Sequence, residues 1–277
     1  MTSANQPGRG HAWLSALTGD AAPLGGYSAA VRVIDAHLAG RAARYIAVVP
    51  DPGSRFHRAR HGEVGLVEGW ELARAIDQVV TRDSQQESKT VLVAVIDVPS
   101  QAYGRIEEGF GIHQALAGAA AAYAKARLAG HPVIGLIVGA AMSGAFLAHG
   151  YQANRLIAIR DPKVMVHAMG KESAARITMR SVEALESLAA SVPPMAYDID
   201  SYASLGLLHD CLTLANPDQP TPADLAQVRR SLRAALEDIA GDPRRDLASR
   251  LGAVNRQASV TVRDVLHKQW NTPSPSS

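Results

Sequence analysis

The chain has 277 residues, a length that fits one large α/β domain. Apolar residues make up 47% and charged residues 19%, which supplies a proper core and excludes a disordered chain. A net charge of +2 without a basic block excludes an electrostatic nucleic-acid footprint, and a single cysteine, Cys211, excludes an internal disulfide and fits a reducing compartment.

In chain order, MTSANQPGRG has no apolar stretch, so no signal peptide is expected and the chain reads as cytoplasmic. A helix is expected around Trp13 to Leu17. VRVIDAHLAGRAARYIAVVPD reads as two strands joined by a tight turn at Gly40, followed by a basic Pro- and Gly-rich loop, PDPGSRFHRARHGEVG. Apolar residues at Val67, Leu72, Ile76 and Val79/Val80 predict an amphipathic helix over Glu63 to Thr81. TVLVAVIDV (Thr90–Val98) has the composition of a strand covered on both faces. The loop PSQAYGRIEEG then leads to an Ala-rich helix from about Ile112 to Leu128.

The stretch GHPVIGLIVGAAMSGAFLAHG has the look of a membrane span. Its uncharged part, Pro132 to Ala148, is 17 residues, short of the roughly 20 a spanning helix needs. PVIGLIV is β-branched and SGAFLAHGYQA is helix-compatible, so a buried strand followed by a helix is expected. RLIAIR and KVMVHAM read as further strands, and two helical stretches follow near Glu172 to Val192. Pro222 to Trp270 is mostly amphipathic helix broken at GDP, and the tail after Trp270 reads as a frayed end. The expected division is an N-terminal segment (1–30), a core (31–215), C-terminal helices (216–270) and a disordered tail (271–277). The alternation of strands and helices predicts parallel crossovers, with ligands at the glycine turns after strand ends.

Several motifs fail. MGKES lacks the first glycine and the final Ser/Thr of a phosphate loop. No dinucleotide fingerprint joins a strand to a helix, and Ala141 and Ala145 stand where a nucleophile elbow around Ser143 needs glycines. His57 and His61 share a loop, but a solvated basic loop explains them better than a metal site, so no metal is expected. Two strand-end turns remain, IDVPSQAYGRIEEG and IVGAAMSGA. Each precedes a helix, where free N–H groups and the helix dipole favour an anion. On spacing alone, an oxyanion hole and simple close helix–strand packing stand level.

The residues of Ile96 to Ile159 resemble the carboxyltransferase members of the crotonase-like superfamily. Asp97-Val98-Pro99-Ser100-Gln101-Ala102-Tyr103-Gly104 is similar to their D-[TV]-P-G-x-x-P-G turn, and Gly139 to Ala145 to their G-x-x-x-G-G-A helix entry. Ser100 replaces the turn glycine and Ser143-Gly144 replaces Gly-Gly. With VHAMGKESAARIT after the last strands, these departures look closest to the gamma subunits of biotin-independent malonate decarboxylases. The resemblance implies a crotonase/ClpP-like repeated β-β-α superhelix of the carboxyltransferase C-half type, with C-terminal helices.

The resemblance also implies a function. With an obligate beta subunit, such a chain converts a malonyl thioester on an acyl carrier protein (delta subunit) to acetyl thioester and CO2. An alpha acyltransferase subunit completes the system. No cofactor binds directly; the substrate rides on a phosphopantetheine/dephospho-CoA-type arm of the carrier. Catalytic candidates are the amides of Ser143 and Gly144, the Gln101–Ala102 turn, and His167 as proton donor, although a hydrogen-bonded core histidine is the favoured reading of His167. Ser100, Tyr103, Gly104, Arg105 and Gly139 are candidate substrate-binding residues. Three rivals follow: a biotin-dependent carboxyltransferase subunit, a Clp-like serine peptidase with Ser143 as nucleophile and His167 or Lys171 as base, and a non-catalytic assembly subunit. The apolar faces of the C-terminal helices, from Leu225 to Leu266, are expected to cover the neighbouring subunit.

Overall fold

A computed structural model describes residues 8–270. The tail expected at 271–277, and all but the last three residues of the stretch read for a signal peptide, lie outside them.

The hairpin forms as its sequence dictates. β1 (Val31–Leu38) and β2 (Arg41–Val48) pair antiparallel, and Ala39 and Gly40 hold φ of 51° and 80°, the positive pair that a two-residue turn of right-handed twist demands. Ahead of it, α1 (Arg9–Thr18) packs across β2, β3 (Val91–Val98) and β4 (Val133–Met142) with Trp13 fully buried. α2 (Leu66–Arg82) starts three residues later than its periodicity predicts, because the Glu68 carboxylate accepts from the Gly65 N–H and caps the helix there. The loop after β3 contains a short helix, α3 (Arg105–Gly109), where no element is expected.

The Ala-rich α4 (Ile112–Leu128) buries Ala115, Ala119, Ala122 and Ala126. Small residues let it approach α2 closely: a Cβ on Gly69 would stand 2.8 Å from the Ala115 backbone. α5 (Ser143–Ala148), β5 (Arg155–Ile159), β6 (Val166–His167), α6 (Lys171–Ile177), α7 (Val182–Ala189), α8 (Ile199–Ser204) and β7 (Asp210–Leu212) follow.

The sheet runs β1-β2-β3-β4-β5-β7, parallel from β2 onward, and β6 pairs β4 beyond the end of β5. Two helix pairs cover it, α1 with α9 (Pro222–Gly241) and α2 with α4, which is why β3 and β4 read as continuous apolar runs.

Four expectations need correction. β4 does not turn at Gly139. It continues to Met142, exchanging β5 for β6 as its neighbour. The expected strand KVMVHAM keeps only Val166 and His167 in the sheet, and the helix after Ser143 stops at Ala148 because His149 and Gly150 turn away. Finally, the C-terminal helices do not act as one unit. α9 buries Val228, Leu232 and Leu236 on its own sheet, in the main core, so that stripe is not free for a neighbour. Arg155 ties α9 down through Asp238 and Asp242. α10 (Gln257–Trp270), by contrast, has no buried residue.

Among the described residues, no helix is long and apolar enough to cross a membrane. The stretch that raised that question is β4 running into α5.

Candidate active site

β3 and β4 are neighbours and end together, so the two turns meet. Beyond Val98, Gln101 bridges to Val64: Val64 N–H donates to the Ser100 carbonyl (3.1 Å) and Ala102 N–H to the Val64 carbonyl (2.9 Å). Parallel pairing of this kind fixes the direction of the Gln101 side chain. On the second turn, Ser143 takes φ 61°, the left-handed region that an L-residue enters at a cost of roughly 1–2 kcal/mol. That reversal starts α5 and turns the Gly144 N–H toward the first turn. The Gln101 Oε1 accepts from Gly144 N–H at 3.0 Å and from Ser143 Oγ at 3.3 Å. A Cβ on Gly144 would collide with Gln101 Oε1, so glycine there gives the Gln101 side chain its place by close approach rather than by φ.

A cavity of about 750 Å³ opens beside this contact. Ser100, Gln101, Tyr103, Ser143, Gly144 and His167 border it, so the geometry brings six of the ten candidate residues together. The remainder is apolar side chains such as Met142, Phe146 and Leu205, with tyrosines, Ser173 and backbone. Among the described residues, no Asp, Glu, Lys or Arg lines it.

Four candidates stand elsewhere. Ala102 is buried under α4, and its N–H is committed to Val64, so it is not available to a ligand. Gly139 lies within β4 and leaves room for the Asp97 carboxylate, which accepts from Ala140 N–H and Gly10 N–H (both 3.1 Å). Gly104 caps α3, with the Glu107 carboxylate in the space a side chain would need. Arg105 is exposed on α3.

His167 is half-buried. Its ring stacks on Tyr197 at 3.9 Å and 16°, and Nδ1 lies 3.0 Å from the Met169 carbonyl. The Met169 N–H lies 3.3 Å from the same nitrogen, so Nδ1 either donates to the carbonyl and leaves Nε2 as the acceptor, or accepts from the N–H and leaves the proton on Nε2. Burial pushes the imidazole below its ordinary value, so the ring is neutral at pH 7. Both readings of this histidine thus meet in one residue: it is held like a core group, yet it borders the cavity.

Ser143 Oγ bonds Gln101 and no base, and Lys171 pairs with Glu186 (2.6 Å), so neither half of a Ser–His or Ser–Lys dyad is assembled. The exposed His57–His61 loop holds no metal set, and none exists elsewhere among the described residues.

Sequence reasoning missed His149 and Tyr123. Tyr123 O–H donates to His149 Nδ1 (3.0 Å) and His149 Nε2 to the Val95 carbonyl (3.1 Å), all buried, fastening the end of α5 to α4 and β3. The signal was a histidine between Ala148 and Gly150 in an apolar run. A second cavity, of about 720 Å³, lies at the opposite end of β5, where Arg155 pairs with Asp238 and Asp242 and Arg244 with Asp242.

The malonate decarboxylase of a Pseudomonas is similar over nearly the whole chain. Its hetero-tetramer in complex with coenzyme A contains a chain 64% identical, with a TM-score of 0.92, covering 95% of this chain and 100% of that one. Its MdcD–MdcE hetero-dimer contains one 61% identical, with a TM-score of 0.88, covering 95% and 99%. The malonyl-S-ACP:biotin-protein carboxyltransferase MADD of Malonomonas rubra is 34% identical over 155 residues, 55% of this chain and 53% of that protein. This chain therefore aligns with only about half the length of that relative. Transcarboxylase 12S, 22% identical with a TM-score of 0.63 over 84% of this chain and 41% of the other, shares the fold. The family described as malonate decarboxylase gamma subunit matches residues 59–270. Two adjoining strand-end turns around an uncharged cavity, on a carboxyltransferase-type crotonase-like fold, thus sit in a chain that belongs to the malonate decarboxylase gamma subunit family.

Proposed function

We propose that this chain forms the carboxylate-side half of a malonyl-thioester decarboxylating centre, completed by a beta subunit like the MdcD of the Pseudomonas hetero-dimer. The observation that carries this reading is the cavity lining. Decarboxylation moves negative charge off the carboxylate, which departs as neutral CO2, and onto the thioester oxygen as an enolate. A fixed cation beside the carboxylate would stabilise the ground state more than the transition state and slow the step. An uncharged, largely apolar pocket with a few neutral donors orients the carboxylate without that penalty.

The enolate oxygen then needs its own donors, which this reading assigns to the partner subunit. The substrate enters on the flexible arm of a carrier protein, and the coenzyme A complex of the Pseudomonas relative and the malonyl-S-ACP of the Malonomonas relative support a thioester of that kind. An alpha acyltransferase that loads the arm, a delta carrier and a cytoplasmic location belong to the same proposal. His167, neutral and tied to the Met169 backbone through Nδ1, takes up a proton only below its lowered pKa. It is therefore suited to relaying a proton to the product rather than to holding one at rest.

The name of the Malonomonas relative favours a second reading, in which the carboxyl group passes to biotin. One assay separates the two. CO2 release from a malonyl thioester is measured for this chain alone, for the beta subunit alone and for the pair, without any biotinylated protein. Release by the pair only is expected. Equal rates with and without the partner overturn the two-half reading; no CO2 from the pair, with the carboxyl group appearing on an added biotinylated protein as carboxybiotin, establishes the carboxyltransferase.

A further inference from the structure

We infer that the Gln101 side chain, rather than a row of backbone amides, is the donor that binds the substrate carboxylate. This rests on the proposed function. The N–H of Gly144, the amide best aimed at the cavity, is already accepted by Gln101 Oε1 at 3.0 Å. The same oxygen faces Ser143 Oγ at 3.3 Å. A carboxamide oxygen has two lone pairs, and both are engaged here. That fixes which end of the amide points at α5 and leaves the Nε2 hydrogens as the group's unused donors.

Nε2 has no hydrogen-bond partner among the described residues, and Gln101 borders the cavity. The Gly144 N–H and the Ser143 hydroxyl thus act through the carboxamide: they hold it, polarise it and turn two N–H donors toward the bound ligand. Every component of this device is specific to the two turns. The left-handed Ser143 aims Gly144 N–H, glycine at 144 gives Gln101 its space, and the bridge to Val64 fixes the backbone from which Gln101 projects. The donor is neutral, as a site that must release CO2 requires. Its loss is felt by malonyl and not by acetyl thioesters, since only the former carries a carboxylate.

The test uses the complex of this chain with its beta subunit, and malonyl- and acetyl-pantetheine as probes. Gln101→Met keeps the length and removes both amide functions. Gln101→Glu keeps two acceptor oxygens toward Ser143 and Gly144, so it preserves the turn, but replaces the donor with negative charge. Gln101→Met is expected to raise the KM for the malonyl thioester by about tenfold or more, with the inhibition constant of the acetyl thioester within about twofold of wild type. Gln101→Glu is expected to raise that KM further. Unchanged or tighter malonyl binding in Gln101→Met overturns the inference and makes Gln101 a plug that the substrate displaces. Equal weakening toward both thioesters overturns it in favour of a purely structural role. If the wild-type complex itself releases no CO2 from the malonyl thioester, the proposed function fails, whatever the variants do.

Discussion

Ser143 holds a left-handed backbone where the carboxyltransferase pattern has glycine, and the consequence is measurable. Ser143→Gly removes the side-chain clash but adds unfolded-state entropy, so a gain of up to about 1 kcal/mol is expected. Ser143→Val places a β-branched residue at φ 61° and is expected to lose about 2 kcal/mol or more. Urea unfolding midpoints of the two variants check both; a Ser143→Gly protein weaker than wild type would show that the Oγ bond to Gln101 outweighs the strain. At Gly144 a methyl group meets the ends of two side chains, the carboxamide of Gln101 and, at 3.2 Å, Leu116 Cδ1, both of which can move aside. Gly144→Ala is therefore expected to melt near the wild-type temperature while displacing the Gln101 carboxamide, which raises the KM for the malonyl thioester by about tenfold, about 1.4 kcal/mol. Loss of the fold in Gly144→Ala would show instead that the turn cannot yield.

At the scale of elements, α9 and α10 carry similar apolar patterns and have opposite fates. α9 has a capping box at Thr221–Asp224 with proline at its first position, and it buries its stripe on the sheet. α10 leaves Val262, Val265 and Leu266 exposed at 58%, 45% and 58%. A 14-residue helix with no buried residue has little tertiary support, and isolated helices of that length are marginal. Ending the chain before Gln257 is expected to shift the unfolding free energy of the isolated chain by less than about 0.5 kcal/mol. The same truncation is expected to weaken the complex with the beta subunit, read by analytical ultracentrifugation of the co-expressed pair. A large loss of stability without the partner would place α10 in this chain's own fold.

Across the whole molecule, acid stability is governed first by buried histidines. His149 is enclosed among apolar groups and its pKa is pushed down to about 4. Burial lowers His131 and His167 as well. The unfolded chain protonates these rings near pH 6.5 while the folded one resists. Between that pH and about 4 the unfolded state binds more protons, so stability is present above 6.5 and falls as the pH falls through this window. His149 alone accounts for about 3 kcal/mol. The carboxylates that ion pairs and hydrogen bonds hold low, Asp83 at about 2 among them, add a further loss only at lower pH. Unfolding midpoints at pH 7.5, 6 and 5 check this. His149→Phe is expected to be weaker at pH 7.5, because Tyr123 and Val95 lose a partner, yet to show a shallower pH slope.

The sequence by itself determined the elements whose signals are local. Apolar runs made β3 and β4, Ala periodicity made α4, Gly40 made the hairpin turn, and the DVPSQAYG and GAAMSGA turns carried the family. It also implied that Ser143, Gly144 and Gln101 lie close together, because turns after adjacent parallel strands must meet; they border one cavity, which His167 reaches from the end of β6. What only the tertiary structure decided is where each hydrogen-bonding group is spent. Ala102 gives its N–H to Val64, Gly139 yields its space to Asp97, and Gln101 turns its side chain to Gly144. Likewise, one amphipathic stripe is covered and another is not. Such pairings join residues tens of positions apart in the chain. A local pattern fixes which face of an element is apolar or which amide lacks a helical partner, but the neighbour that satisfies it is set by the packing of the whole sheet.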